Sequence, residues 1–180
     1  GLDPDLAGVR SGVTTIVDGG SAGSANYDGF HEHIVGTAHT RVLANIHIAQ
    51  TGLAVSPEAR DANDVDIDET IAVANRYKGE IIGVKIRACG PALATMGMDY
   101  IHAALTAARE ANVRLMVHIG DPQWNVDPTI TARLLPLLRA DDLITHLYTG
   151  APGKVLDGNR NVLPELVDAR ARGVGFDPAH

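Results

Sequence analysis

Short apolar runs alternate with amphipathic stretches along the chain, and this alternation predicts the fold. Six runs are dense in Val and Ile and almost continuously apolar, as strands buried on both faces are. They cover residues 13–18, 41–49, 81–88, 114–120, 142–148 and 173–177. The intervening stretches have helical periodicity and cover residues 3–11, 28–38, 67–76, 99–112, 128–138 and 162–172. Asp99 is the expected N-cap of the fourth of these helices.

Strand and helix repeat about every 30 residues, which predicts a parallel sheet with helices packed outside it. Such a sheet is either open and doubly wound or closed as a (β/α)8 barrel. No Gly-x-Gly-x-x-Gly motif opens a helix, and this disfavours a dinucleotide-binding sheet. Six strands are fewer than the eight of a complete barrel, which takes roughly 250 residues. We therefore expect residues 1–180 to form one partial (β/α)8 catalytic domain of six βα units, truncated at both ends.

Polar side chains fall at the carboxyl ends of the predicted strands, where barrel enzymes build their active sites. Because side chains alternate along a strand, Lys85 and Arg87 should share the inward face of the third strand. The same alternation gives the inward residues of the other strands: Asp18 with Ile16, Asn45 and His47 with Leu43, His118 with Met116, and His146 with Ile144.

Lys85, His118 and His146 lie on three successive strands, and their chemistry indicates a metal site. A buried lysine is unfavourable unless it is paired, neutral or chemically modified. Imidazoles are the commonest protein ligands of zinc, and catalytic zinc sites keep one position open. A single strand histidine is more often a hydrogen-bonded core residue, but the recurrence on three strands favours a metal.

Composition narrows the partners that we expect. The chain has 22 acidic against 15 basic residues and a formal net charge of −7. Nucleic acid and anionic membranes require clustered Lys and Arg, so neither is an expected partner, and a small-molecule substrate is. No apolar run reaches the roughly 18 residues of a transmembrane helix. The single cysteine, Cys89, excludes an intrachain disulfide and fits a reducing, cytoplasmic setting.

The order Lys, His, His on successive strands resembles the amidohydrolase superfamily of metal-dependent hydrolases, and most closely its dihydroorotase-like amidohydrolase/deacetylase branch. The resembling stretches are GVTTIVDGGSAG (12–23), GVKIRA (83–88), LMVHIGDP (115–122), DLITHLYTG (142–150) and ARARGVGFDPAH (169–180). The resemblance implies a (β/α)8 barrel in which the six strands here are barrel strands 2 to 7. Two phrases depart from the family, which has a sequence closer to His-Cys-Phe-Asn-Gly at His146 and a Gly before the histidine at His180. These departures concern the shape of the pocket more than the metal ligands.

The resemblance also implies a site with two divalent metal ions, zinc being the expected metal. Lys85, carboxylated by carbon dioxide to a carbamate, would hold both ions, and His118 and His146 would hold one of them. A metal-bound hydroxide would then attack an amide or ester carbonyl. A His-x-His pair before residue 1 and a general-base Asp after residue 180 would complete the ligand set, so this segment alone is expected to lack activity.

Substrate contacts are expected from Arg87, Asn45 and His180. Arg87 shares the inward face of Lys85 and is suited to bind a substrate carboxylate bidentately, although an ion pair with a neighbour explains it equally well. Asp18 and Asp177 either orient metal ligands or cap loops. His47 has no assigned role at this level.

Three function classes stay open. The first is a deacetylase or cyclic amidase, the second a non-catalytic barrel fragment or degenerate subunit with a scaffold role, and the third a sugar-phosphate-type barrel enzyme without metal. His31-x-His33 lies in a predicted helix, where residues two apart diverge, and is interpreted as surface. The polar stretch 56–68 is interpreted as a solvated loop. An open sheet would leave unpaired edges that favour association into a homo-oligomer.

Overall fold

The computed structural model describes residues 3–123 and 126–178 and contains one sheet of six parallel strands. The strands are β1 (Thr15–Asp18), β2 (Arg41–His47), β3 (Ile81–Arg87), β4 (Arg114–His118), β5 (Leu143–Thr145) and β6 (Gly175–Asp177). They pair in chain order from β1 to β6, and the sheet curls into half of a barrel. The predicted partial (β/α)8 barrel is therefore confirmed.

Helices connect the strands, but several differ from the predicted segments. They are α1 (Pro4–Ala7), α2 (Tyr27–Phe30), α3 (Ile67–Arg76), α4 (Gly90–Met96), α5 (Met98–Glu110), α6 (Ile130–Leu134) and α7 (Pro164–Ala171). The predicted helix 28–38 continues after α2 as a π-helical turn, His31–Val35, and 128–138 continues after α6 as a 3-10 turn, Leu135–Leu137. The predicted N-cap Asp99 is wrong, because Gly97 caps α5 and Asp99 lies in its first turn. There its carboxylate complements the positive end of the helix dipole.

The outer face of the sheet forms the core. Val84 and Ile86 of β3 and Leu115 and Val117 of β4 have no exposed surface, and α5 packs against both strands. The buried face of α5 is rich in alanine, so its backbone approaches the sheet closely. Burying each of these aliphatic side chains contributes roughly 1.5–3 kcal/mol, which anchors β3 and β4 to the helix layer. No helix of the described ranges is both long and apolar enough to cross a membrane.

The register of the strands determines which residues face the barrel interior. Lys85 pairs with His47 of β2 and with Met116 of β4, and Arg87 pairs with His118. Neighbours in a parallel ladder point to the same side of the sheet, so these residues share the inner face. The predicted inward position of Lys85 and Arg87 is therefore confirmed.

Three predicted inward residues, on two strands, face the other way. Ile144 pairs with Val117, has no exposed surface and belongs to the outer core, because β5 is in register with its Leu143 and Thr145 inward. Asp18 and Ile16 do share a face, but it is the outer one. Asp18 accepts hydrogen bonds from the backbone N–H groups of Gly20 (2.8 Å) and Ser21 (2.7 Å), which shows that it caps the loop after β1.

Candidate active site

Lys85 is a buried ionisable group near the carboxyl end of the sheet. It is 4% exposed, and no hydrogen bond or salt bridge joins its Nζ to another described residue. Burial, and then the charge of Arg87, lower the pKa of its amine to about 8, while the carboxylate of Asp177 acts in the opposite direction. Burial therefore makes the neutral form of this amine more accessible near neutral pH than it is for an exposed lysine.

His118 and His146 lie side by side at the same end of the sheet. Their ring centroids are 4.2 Å apart, with the rings tilted by 65°. Burial, followed by the charge of Arg87, lowers the pKa of His118 to about 3. The His118 ring is therefore neutral near pH 7 and carries a free lone pair, the form in which imidazole binds a metal.

His146 reaches this position by a route that strand alternation does not predict. β5 ends at Thr145, and His146 follows with a left-handed backbone, φ 68°. This turn brings its ring beside His118 although Ile144, two residues earlier, faces the outer core. Gly120, with φ 88°, lets the two adjoining loops meet, because a Cβ there would lie 2.4 Å from Oγ1 of Thr149.

Arg87 forms an ion pair with Glu58. Its Nη1 donates to Oε2 of Glu58 at 2.9 Å, and the side chains are 25% and 7% exposed respectively. Of the two roles that the sequence allowed for Arg87, the ion pair with a neighbour is therefore present. The interpretation of 56–68 as a solvated loop is wrong at Glu58, which is buried because it accepts this hydrogen bond.

The other predicted substrate contacts lie deeper or outside the described residues. Asn45 is opposite Gly83, two residue pairs below His47 and Lys85, and its Nδ2 donates to the carbonyl of Asp18 at 3.1 Å. His180 lies outside the described residues. Asp177 accepts a hydrogen bond from Oγ1 of Thr145 at 3.0 Å, which places its carboxylate on the inner face.

The His31-x-His33 pair lies away from this site, at the surface as expected. Nδ1 of His31 is 2.9 Å from Oε2 of Glu80, and its ring packs against Tyr77 with centroids 4.7 Å apart. His33 is exposed. The pair is therefore divided between a local hydrogen bond and solvent.

His47 is the residue that the sequence analysis left without a role. It is fully buried, and its Nδ1 accepts a hydrogen bond from the backbone N–H of Ala49 at 2.9 Å. Its Nε2 is buried without a hydrogen-bond partner. Burial, and then the charge of Lys85, lower the pKa of its ring to about 3. Its grouping with Asn45 at a strand end was the signal in the sequence that could have identified it.

The donor set fits a divalent metal in part. Within residues 3–123 and 126–178, no three His, Cys, Asp or Glu side chains converge on one point. The available donors are the neighbouring imidazoles of His118 and His146, with the amine of Lys85 on the adjoining strand. Imidazole ligands suit zinc, and a lysine joins such a set only when its amine is neutral or carries an acidic group.

The chain is similar in sequence to several enzymes. No family model matches the chain. It is 29% identical to a deacetylase of Brucella anthropi and to one of Agrobacterium fabrum, over 99% of this chain and 44% of each of those proteins. It is 27% identical to a deacetylase of Enterococcus faecalis, over 98% of this chain and 47% of that protein.

Two solved structures share the fold. One is an adenine deaminase, with TM-score 0.86 and 27% identity over 97% of this chain and 46% of that chain. The other is a dihydroorotase, with TM-score 0.78 and 30% identity over 94% of this chain and 44% of that chain. The chain thus spans less than half the length of the proteins it matches. These matches confirm the resemblance to the amidohydrolase superfamily.

Proposed function

We propose that this chain is part of a metal-dependent amidohydrolase that cleaves an amide or ester bond of a small carboxylate-bearing substrate, with deacetylase or cyclic-amidase chemistry. The observation that carries the proposal is the contact between the rings of His118 and His146 beside the buried Lys85. The deacetylases, the deaminase and the dihydroorotase that the chain resembles support hydrolysis of a C–N bond.

In this proposal the carbamate of Lys85 would hold two divalent metal ions, and His118 and His146 would hold one of them, with zinc as the expected metal. Such ions, when bound, lower the pKa of water and polarise the carbonyl under attack. Burial contributes by keeping the ring of His118 unprotonated near neutral pH, so its lone pair is available without prior loss of a proton.

Burial of Lys85 also prepares its amine for carbon dioxide. With a pKa of about 8, roughly one amine in ten is neutral at pH 7, far more than for an exposed lysine. The neutral amine forms a bond to the carbon of carbon dioxide and loses one proton to water. The product is an anion, which the nearby guanidinium of Arg87 stabilises.

Arg87 is the proposed anchor for the substrate carboxylate. Glu58 uses one nitrogen of its guanidinium and fixes the side chain, while a quarter of the side chain stays exposed. Arginine has five N–H donors, so the free edge of the fork can still bind a carboxylate. Asn45 and His180 stay predicted contacts. A small-molecule substrate, a cytoplasmic location and a homo-oligomer complete the proposal.

Metal analysis of the full-length protein tests the proposal. We expect near-stoichiometric zinc or a similar divalent ion, and activity on a panel of N-acyl compounds, cyclic amides and O-acyl esters. Lys85→Ala should lose the metal pair and most of the activity, whereas Lys78→Ala, at an exposed position two residues after α3, should retain both. Full metal content and full rate in Lys85→Ala would contradict the assignment. A wild-type protein without metal or activity would favour the scaffold alternative.

A further inference from the structure

His47 carries a buried hydrogen-bond donor that no described residue accepts. Its Nδ1 accepts from the N–H of Ala49, so this nitrogen holds a lone pair and the ring proton sits on Nε2. Nε2 is the nitrogen without a partner, in a side chain with no exposed surface. Buried N–H groups are almost always paired in native proteins, so an unpaired one indicates a missing acceptor.

The neighbour of this donor is Lys85. The two residues are paired across β2 and β3 and share the inner face of the sheet. A Cβ on Gly20 would lie 2.7 Å from Cγ of Lys85 and 3.2 Å from Cδ2 of His47. Cδ2 is bonded to Nε2, so the edge of the ring with the unpaired N–H and the stem of Lys85 adjoin the same glycine.

The charged groups around the pair do not supply the acceptor. The charged or ionisable groups close enough to change the pKa of Lys85 are those of Arg87, Asp177, Cys89 and Asp18. The carboxylate of Asp18 accepts hydrogen bonds from the backbone N–H groups of Gly20 and Ser21, and that of Asp177 accepts one from Oγ1 of Thr145. A lysine ammonium only donates, whereas a carbamate on Lys85 brings two oxygen acceptors to this place.

We propose that His47 is a positioning residue whose Nε2–H donates a hydrogen bond to an oxygen of the Lys85 carbamate. The inference rests on the proposed function. It adds that the bond stabilises the carbamate over the free amine, because a donor to a charged acceptor gains more than one to a neutral group. The ring would also fix the rotation of the carbamate and hence the direction of its second oxygen.

Two substitutions separate this bond from a structural role of His47. In His47→Asn the side-chain oxygen can still accept from the N–H of Ala49, but the side chain is too short to donate toward Lys85. In His47→Gln the longer side chain brings an N–H donor to the position of Nε2. Lys85→Ala identifies the carbamate signal, and thermal unfolding checks that all variants are folded.

The experiment is a titration of chelator-stripped full-length protein with ¹³C-bicarbonate in the presence of zinc, followed by ¹³C NMR of the carbamate. We expect His47→Asn to need roughly tenfold more bicarbonate for half-occupancy, and His47→Gln to remain close to wild type. Equal occupancy curves for wild type and His47→Asn, or equal losses in both variants, would overturn the proposal.

A measurement on the unaltered protein gives a second test. The ¹⁵N-coupled Nε2–H resonance of His47 should move as bicarbonate is added, with the same half-point as the carbamate signal. A resonance that ignores bicarbonate overturns the inference even if the protein binds zinc and hydrolyses substrate. A protein that shows neither carbamate nor bound zinc refutes the proposed function itself, so the two failures are distinguishable.

Discussion

Gly20→Ala tests whether the loop after β1 holds Lys85 in place. Gly20 has φ 106°, a conformation that L-residues rarely adopt, and an added Cβ would lie 2.7 Å from Cγ of Lys85. Two effects should therefore add. A left-handed backbone is unfavourable for alanine by about 1–2 kcal/mol. Overpacking against a buried side chain adds about 1–3 kcal/mol.

Gly79→Ala is the matched control for the first effect. Gly79 has a similar φ of 94°, but an added Cβ would meet nothing within 4 Å. It should lower the free energy of unfolding by about 1–2 kcal/mol, whereas Gly20→Ala should lower it by about 2–5 kcal/mol. The difference between these two losses in unfolding free energy is due to the contact with Lys85. It should become smaller when Lys85→Ala is combined with Gly20→Ala.

Urea unfolding of the full-length variants at constant pH measures these differences, with the slope against denaturant checked for each variant. Gly20→Ala should also weaken zinc binding, because the displaced stem of Lys85 carries the amine away from His118. Equal losses of stability in Gly20→Ala and Gly79→Ala, with unchanged zinc affinity, would refute the close packing of Lys85 against this loop.

Three further predictions concern the core, the pH response and the buried ion pair. Leu115→Ala, at a position with no exposed surface, should lower the free energy of unfolding by about 2–5 kcal/mol, and Leu53→Ala, at a 45% exposed position, by less than about 0.5 kcal/mol. Similar losses would contradict the assigned core face. With chelator present, His47→Gln should reduce the slope of unfolding free energy against pH by about one proton between about pH 4 and 6. The ring of His47 stays neutral down to about pH 3 in the folded protein, whereas in the unfolded chain it binds a proton near pH 6.5. The free energy of unfolding of the wild type therefore falls as the pH decreases through this window. An equal slope of unfolding free energy against pH in both proteins would refute the buried neutral ring. Glu58→Ala should lower the free energy of unfolding by about 3 kcal/mol because it leaves the guanidinium of Arg87 unpaired, and a variant as stable as wild type would show that the pair contributes nothing.

The regular strands were predictable because one local pattern determines both their position and their faces. The run 81–88 became β3, Ile81–Arg87, almost unchanged, and the inward face of Lys85 follows from local alternation, because the pairing with β4 is continuous from Gly83 to Arg87. The same holds for β4 and His118. Aliphatic residues on the helix side and polar residues at the strand end carry the information within seven positions, so no long-range contact had to be known.

The wrong predictions concern strand length, facing and burial that depend on contacts with distant parts of the chain. The run 142–148 was predicted as one strand, but only Leu143–Thr145 is strand, and which face Ile144 takes follows from its register with β4. Glu58 is buried because Arg87, 29 residues later, pairs with it. The lack of a hydrogen-bond partner at Nε2 of His47 likewise depends on residues that only the fold brings around it. Neither pairing nor register is encoded in a local period.

The left-handed backbone at residue 146 also limits which side chains can evolve there. Besides glycine, the residues most often tolerated at positive φ are asparagine, aspartate and histidine. Each of these three has a nitrogen or oxygen that can coordinate a cation. The bend that ends β5 therefore restricts residue 146 mainly to side chains with a potential donor atom, and under the proposed function a change of metal ligand is more accessible here than at Lys85 or His118.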